Sequence, residues 1–133
     1  MAARDLKSQN LHDKVIQLAY EQLDKLQHDV YINPDGQRNA WIGDNIPDII
    51  ITEKGSMTPK FIIEVETLDT VNIEEATSQW KKYSTEIKSS FYLLVPLSQK
   101  ENVINLCKQV DIIARFGTYQ TDSFGNVSNI KYE

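Results

Sequence analysis

The sequence holds a single cysteine, Cys107, among 133 residues. One thiol cannot staple a fold, so a disulfide-framed miniprotein is excluded. A lone cysteine suits a reducing compartment, and a cytoplasmic location is expected. Glycine and proline are sparse, at five and four residues, which excludes collagen-like and low-complexity chains. Long apolar runs are missing too. Ile49–Ile51 and Phe91–Pro96 are the extremes, far short of the roughly 20 residues that a membrane helix needs. Met1 to Asn10 carries Arg4, Asp5 and Lys7 with no apolar stretch behind them, so neither a secretory leader nor a membrane anchor is expected. Basic residues are outnumbered, 14 Lys+Arg against 19 Asp+Glu, for a net charge of −5. That balance argues against coating nucleic acid by bulk charge and leaves room for contact through a small local patch.

What remains is ordinary globular composition, 41% hydrophobic and 25% charged. A chain of this length buries roughly two-thirds of its unfolded surface, enough for a core. With no repeat and no linker-like composition shift, residues 1–133 read as a single domain. Leu11, Val15, Leu18, Ala19, Leu23 and Leu26 recur at helical spacing after Ser8 or Asn10, either of which can cap a first helix reaching Gln27-His28. A strand around Val30–Ile32 and a turn at Asn33-Pro34-Asp35-Gly36 follow. Asp48 to Thr52 and Phe61 to Glu66 flank a polar loop with Gly55 and Pro59, the pattern of a β-hairpin. Helices are expected over 73–88 and from a Ser98 cap to Gln109, with strands at Phe91–Val95 and Ile112–Phe116. A small hairpin is expected around Phe124-Gly125-Asn126. The order is that of an α/β domain with a mixed central sheet flanked by helices.

The hairpin carries the chemistry. Side chains alternate across a strand, so Glu64 and Glu66 share a face with Ile62, while Phe61, Ile63 and Val65 face the other way. Asp48 opens the opposing strand just after Pro47. Paired strands lie about 5 Å apart, which can bring Asp48 beside the two glutamates. Two such charges 4 Å apart repel by about 4 kcal/mol at an effective dielectric near 20. Protonation, a Lys or Arg, or a hard divalent cation must offset that repulsion. Oxygen ligands at a partly open site suit Mg²⁺ or Mn²⁺.

Here the sequence resembles the PD-(D/E)XK nuclease superfamily. Pro47-Asp48 matches its Pro-Asp element, and Glu64-Val65-Glu66 stands where the family carries (D/E)-X-K. Gln79-Trp80-Lys81-Lys82-Tyr83 is similar to the Gln-x-x-x-Tyr helix element of the exonuclease branch of recombination helicase–nucleases. The resemblance spans roughly Leu11 to Val95. It implies a restriction endonuclease-like core, α-β-β-β-α-β, and a Mg²⁺- or Mn²⁺-dependent deoxyribonuclease with Asp48 and Glu64 as metal ligands.

The departure is Glu66, which occupies the family's lysine position. Glu66 can serve instead as general base or as a further metal ligand. Lys60 shares the strand face but lies roughly 13 Å along it from Glu64, so it is a poor substitute. Lys82 is the better candidate. It shares a helix face with Gln79 and Tyr83, and the three are expected to line the site. Lys54, Lys81, Lys82 and Lys88 are the local basic groups available to DNA. So few phosphate contacts imply weak affinity, and a homodimer is the expected remedy. His12 and Asp13 read first as a solvated helix start, although the resemblance implies an accessory polar residue near the site. Trp80 and Cys107 read as core, and His28 as a helix-end residue. The rival reading is a catalytically inactive module of the same fold, serving as a nucleic-acid-binding or assembly subunit.

Overall fold

The computed structural model describes residues 5–133. Helix α1 (Leu6–Gln22) starts and stops earlier than its apolar spacing suggests. Asp5 caps it, its carboxylate accepting from the Ser8 amide at 2.7 Å. Ser8, an expected cap, donates its hydroxyl to Asp69 at 2.7 Å. Beyond Gln22, side chains compete for the backbone. The Lys25 ammonium donates to the Tyr20 and Leu23 carbonyls at 2.7 and 3.1 Å. Asp24 accepts from the Leu26 amide at 2.9 Å. Leu26 is left exposed, and His28 opens a strand rather than closing a helix.

Six strands pair in chain order: β1 (His28–Ile32), β2 (Ile49–Glu53), β3 (Pro59–Val65), β4 (Ser90–Pro96), β5 (Arg115–Thr121) and β6 (Val127–Tyr132). The first three form an antiparallel meander, β3, β4 and β5 run parallel, and β6 returns antiparallel. Parallel neighbours need crossovers, and helices supply them. The first crossover is one continuous rod made of α2 (Ile73–Glu75), a π-helical turn (Ala76–Trp80) and α3 (Lys81–Glu86). The second is α4 (Lys100–Gln109), entered through a 3-10 turn without a side-chain cap from Ser98. The strand expected at Ile112–Phe116 lies further on. Ile112 and Ile113 precede it, and Ile113 is 91% exposed. The expected tail hairpin forms between β5 and β6, its turn held by Asp122, which accepts from the Phe124 and Asn126 amides at 2.8 and 2.9 Å.

Both sheet faces are covered. Val15, Ile16 and Ala19 of α1 pack on Ile49, Ile51, Ile63, Val65, Leu94 and Tyr119. Ala76, Trp80, Tyr83, Val103 and Cys107 pack on Ile50, Ile62, Phe91, Leu93 and Val95. Each fully buried aliphatic side chain contributes about 1.5–3 kcal/mol. Burial pushes the Cys107 thiol up to about 11, in keeping with a core residue. The result is a mixed α/β fold with a six-stranded mixed sheet. Among the described residues no helix is long and apolar enough to cross a membrane.

Candidate functional site

The hairpin register sets the site. Ile49 pairs with Ile63 and Ile50 with Ile62, which puts residue 48 opposite residue 64 at the open end of the hairpin. There each acidic side chain accepts from an amide of the opposite strand. The Asp48 amide donates to Glu64 Oε1 at 2.8 Å. The Val65 amide donates to Asp48 Oδ2 at 2.8 Å. Asp48 therefore turns its side chain between the strands, where the backbone ladder stops. Alternation along β3 keeps Glu64 and Glu66 on the side covered by the rod and leaves Ile63 and Val65 for α1, as the sequence pattern predicts.

All of these carboxylates are buried: Asp48, Glu64, Glu66 and, from the rod, Glu75. Burial pushes Glu64 well above the usual carboxylate range, and the neighbouring charges of Asp48, Glu66 and Glu75 push the same way; the Asp48 amide pulls it down in part. No Lys or Arg pairs with Asp48 or Glu64 among the described residues. Glu66 is anchored on both sides. Its Oε1 accepts from the Trp80 indole at 3.0 Å, and its carbonyl accepts from the Tyr119 hydroxyl at 2.6 Å. The predicted core position of Trp80 is correct, but its N–H bond to Glu66 is not legible from helical spacing.

The π-helical turn sets the aim of the rod. Thr77 and Ser78 hydroxyls donate back to the Ile73 and Glu74 carbonyls at 2.9 and 2.7 Å, and the wide turn accommodates one more residue than an α-turn. Trp80 and Tyr83 both face the sheet. Gln79 donates to the Tyr83 hydroxyl at 2.9 Å. Burial raises the Tyr83 phenol far above its ordinary range, with the Glu64 charge adding to the effect.

The lysines go elsewhere. Lys82 turns to Asp44 at 3.9 Å, and Lys81 donates to the carbonyls of Val110 and Asp111, both at 2.8 Å. The structure therefore brings Gln79 and Tyr83 to the carboxylate side and directs the two lysine ammonium groups away from it. Lys54 pairs with Asp29 at 3.2 Å, Lys60 with Glu53 at 2.6 Å, and Lys88 stands exposed.

His12 is the residue that sequence reasoning underrated. It is 3% exposed rather than solvated. Its Nε2 lies 3.0 Å from Asp48 Oδ2, and its Nδ1 lies 3.2 Å from Asp13 Oδ1. Asp13 Oδ1 also accepts from Gln9 Nε2 and from the Asp35 amide, both at 3.0 Å. A signal was present: His12 precedes Val15 and Ile16 by three and four positions, which puts it on the apolar stripe of α1.

A divalent cation fits the chemistry of the donors. Asp48 Oδ1 and Glu64 Oε2 take part in none of the hydrogen bonds described above, and both are hard oxygen donors. Among the described residues no three of His, Cys, Asp and Glu form a ready-made ligand set. Mg²⁺ characteristically uses one or two carboxylates and completes its shell with water and substrate phosphate. Comparison with known proteins finds no match to a family model, to a curated protein or to a solved structure.

Proposed function

We propose that this chain is a Mg²⁺- or Mn²⁺-dependent deoxyribonuclease with a restriction endonuclease-like core. The observation that carries the reading is the pair of amide–carboxylate bonds across the end of the hairpin, from the Asp48 amide to Glu64 and from the Val65 amide to Asp48. They fix two buried carboxylates side by side, and among the described residues no Lys or Arg is paired to either. The α-β-β-β-α-β order and the antiparallel meander followed by parallel β4 support the core assignment. Asp48 and Glu64 would hold the ion. Glu66, oriented by the Trp80 indole, adds negative charge on the same face. Gln79 and Tyr83 line the rod side, and His12 positions Asp48. A bound ion supplies polarisation of a phosphate oxygen and a water of lowered pKa. The protein's part is to fix Asp48 through His12 and Val65, and Glu64 through the Asp48 amide.

A second reading has its own support. Glu66 stands in the lysine position, and the Lys81 and Lys82 ammonium groups are bonded elsewhere. Both facts suit an inactive module of the same fold that binds DNA or assembles with a second copy. One experiment separates the two. The nuclease gains thermal stability in Mn²⁺ and nicks plasmid DNA, and Glu64→Gln abolishes nicking while the protein stays folded. The inactive module binds DNA without cutting it. Absence of both Mn²⁺ stabilisation and cleavage, from mildly acidic to alkaline pH, overturns the enzyme reading.

A further inference from the structure

We propose that Arg38 and Trp41, on the loop 33–47 between β1 and β2, form a stacking platform for an unpaired base of a DNA strand whose backbone passes Asp48 and Glu64. The proposal rests on the nuclease reading and extends it by naming the form of the substrate.

The loop is long and has no regular structure beyond one bridge between Ile42 and Asn45, yet its own bonds order it. Buried Asn33 is the hub. Its Oδ1 accepts from the Asn39 and Ala40 amides at 2.7 and 3.0 Å. Its Nδ2 donates to the Ala40 and Pro47 carbonyls at 2.9 and 2.7 Å. Its backbone amide donates to the Asp48 carbonyl at 2.9 Å. The root of the loop is thus tied to the residue that carries the site's first carboxylate. Its rim touches both flanking elements, through the Asp35 amide to Asp13 at 3.0 Å and through Asp44 to Lys82 at 3.9 Å. An arm already ordered in this way loses little further entropy when it meets a ligand.

Ala40 and Ile42 turn inward and pack on the cluster that holds Ile62 and Tyr83. Trp41, between them, turns outward and is 55% exposed. The Arg38 guanidinium stands 5.2 Å from the indole centroid, and Arg38 has no salt bridge among the described residues. A cation stacked on an exposed indole, on a loop rooted at Asp48, is the kind of pair that single-strand recognition uses. The ring stacks on any base, and the guanidinium adds cation–π and phosphate attraction. A duplex keeps its bases stacked on one another, so only an unpaired base reaches the ring. The net charge of −5 makes phosphate attraction alone weak, so stacking must supply much of the affinity. A protein partner suits the patch poorly, because exposed Arg38, Asn39, Gly43 and Asp44 surround Trp41 rather than a contiguous apolar area.

The test measures binding of labelled oligo-dT and of a blunt duplex of equal length, without divalent metal. It uses the native chain, Trp41→Ala, Trp41→Phe and Arg38→Ala, with anisotropy and indole quenching as readouts. The native chain is expected to prefer the single strand. Trp41→Ala should weaken that binding by about ten-fold or more, with the melting temperature and duplex affinity unchanged, and Trp41→Phe should retain most of it. The same pattern is expected in a Glu64→Gln background. If it holds there while the native chain never nicks DNA, the nuclease reading fails and the platform stands. Equal single-strand affinity of native and Trp41→Ala protein overturns the platform. So does absence of binding, or a Trp41 effect seen only as self-association in sedimentation.

Discussion

Glu64 carries the clearest consequence at the scale of one residue. Its folded pKa lies well above its unfolded value, so the fold binds the Glu64 proton more tightly than the unfolded chain does. The resulting stability is complete below the unfolded value and is lost as pH rises through the raised one. Without metal, the melting temperature is therefore expected to fall from about pH 5 into the neutral range. Glu64→Gln keeps an oxygen for the Asp48 amide and removes the charge, so its melting profile should be flatter and should cross above the native one at neutral pH. A native profile that rises over this range contradicts the account. Mn²⁺ should stabilise the native chain more than the variant. His12→Ala removes a buried partner of Asp48 and is expected to cost about 1–3 kcal/mol in urea unfolding. Asp48 and Glu64 are legible in the sequence because strand alternation and hairpin pairing are short-range rules. His12 is legible only in part: its place on the apolar stripe marks it as buried, but what joins it to the site is a bond to a partner 36 residues away.

At the scale of elements, the rod from 73 to 86 shows where helical periodicity falls short. Its residue pattern gives a helix, but not the wide turn at Ala76–Trp80 that lets Trp80 reach Glu66 and Tyr83 face the sheet. The wide turn absorbs one extra residue, so deleting Thr77 should close it to a regular α-turn with Lys81–Glu86 in the same phase and Tyr83 still in the core. The expected outcome is a folded protein with a modest loss of melting temperature by circular dichroism; an unfolded variant contradicts the role given to the turn. The β5–β6 pair supplies a second test. A Cβ at Gly117 would stand 2.8 Å from the Tyr132 ring and 3.1 Å from Leu94, so Gly117→Ala should displace Tyr132 and destabilise by about 1–3 kcal/mol. The shift of the fifth strand past Ile112 and Ile113 was illegible because a β-branched pair reads as strand wherever it falls, although here only Ile112 is buried and Ile113 is exposed. The β2–β3 hairpin was legible because its loop carries glycine and proline between runs of matching alternation.

For the whole molecule, acidity sets the terms of any encounter with DNA. Each neutralised phosphate contributes about −0.9 to the salt slope of duplex binding. A chain with net charge −5 and few uncommitted cations should give a slope no steeper than about −3 as a monomer. Titrations at several salt concentrations read this directly, and a much steeper slope points to two copies acting together. The arrangement of helices on both faces of a mixed sheet followed from element order. The strand order beyond β4 did not, because nothing in residue spacing says which edge a crossover returns to. The two amide–carboxylate bonds at the hairpin end bear on how the molecule would work. One oxygen of Asp48 and one of Glu64 serve the architecture permanently, so each has a single oxygen left to offer. Such a niche holds a lone cation loosely, enough to register as added thermal stability at high Mn²⁺, and firmly once phosphate oxygens fill out the shell. Metal and nucleic acid would then tighten one another's hold.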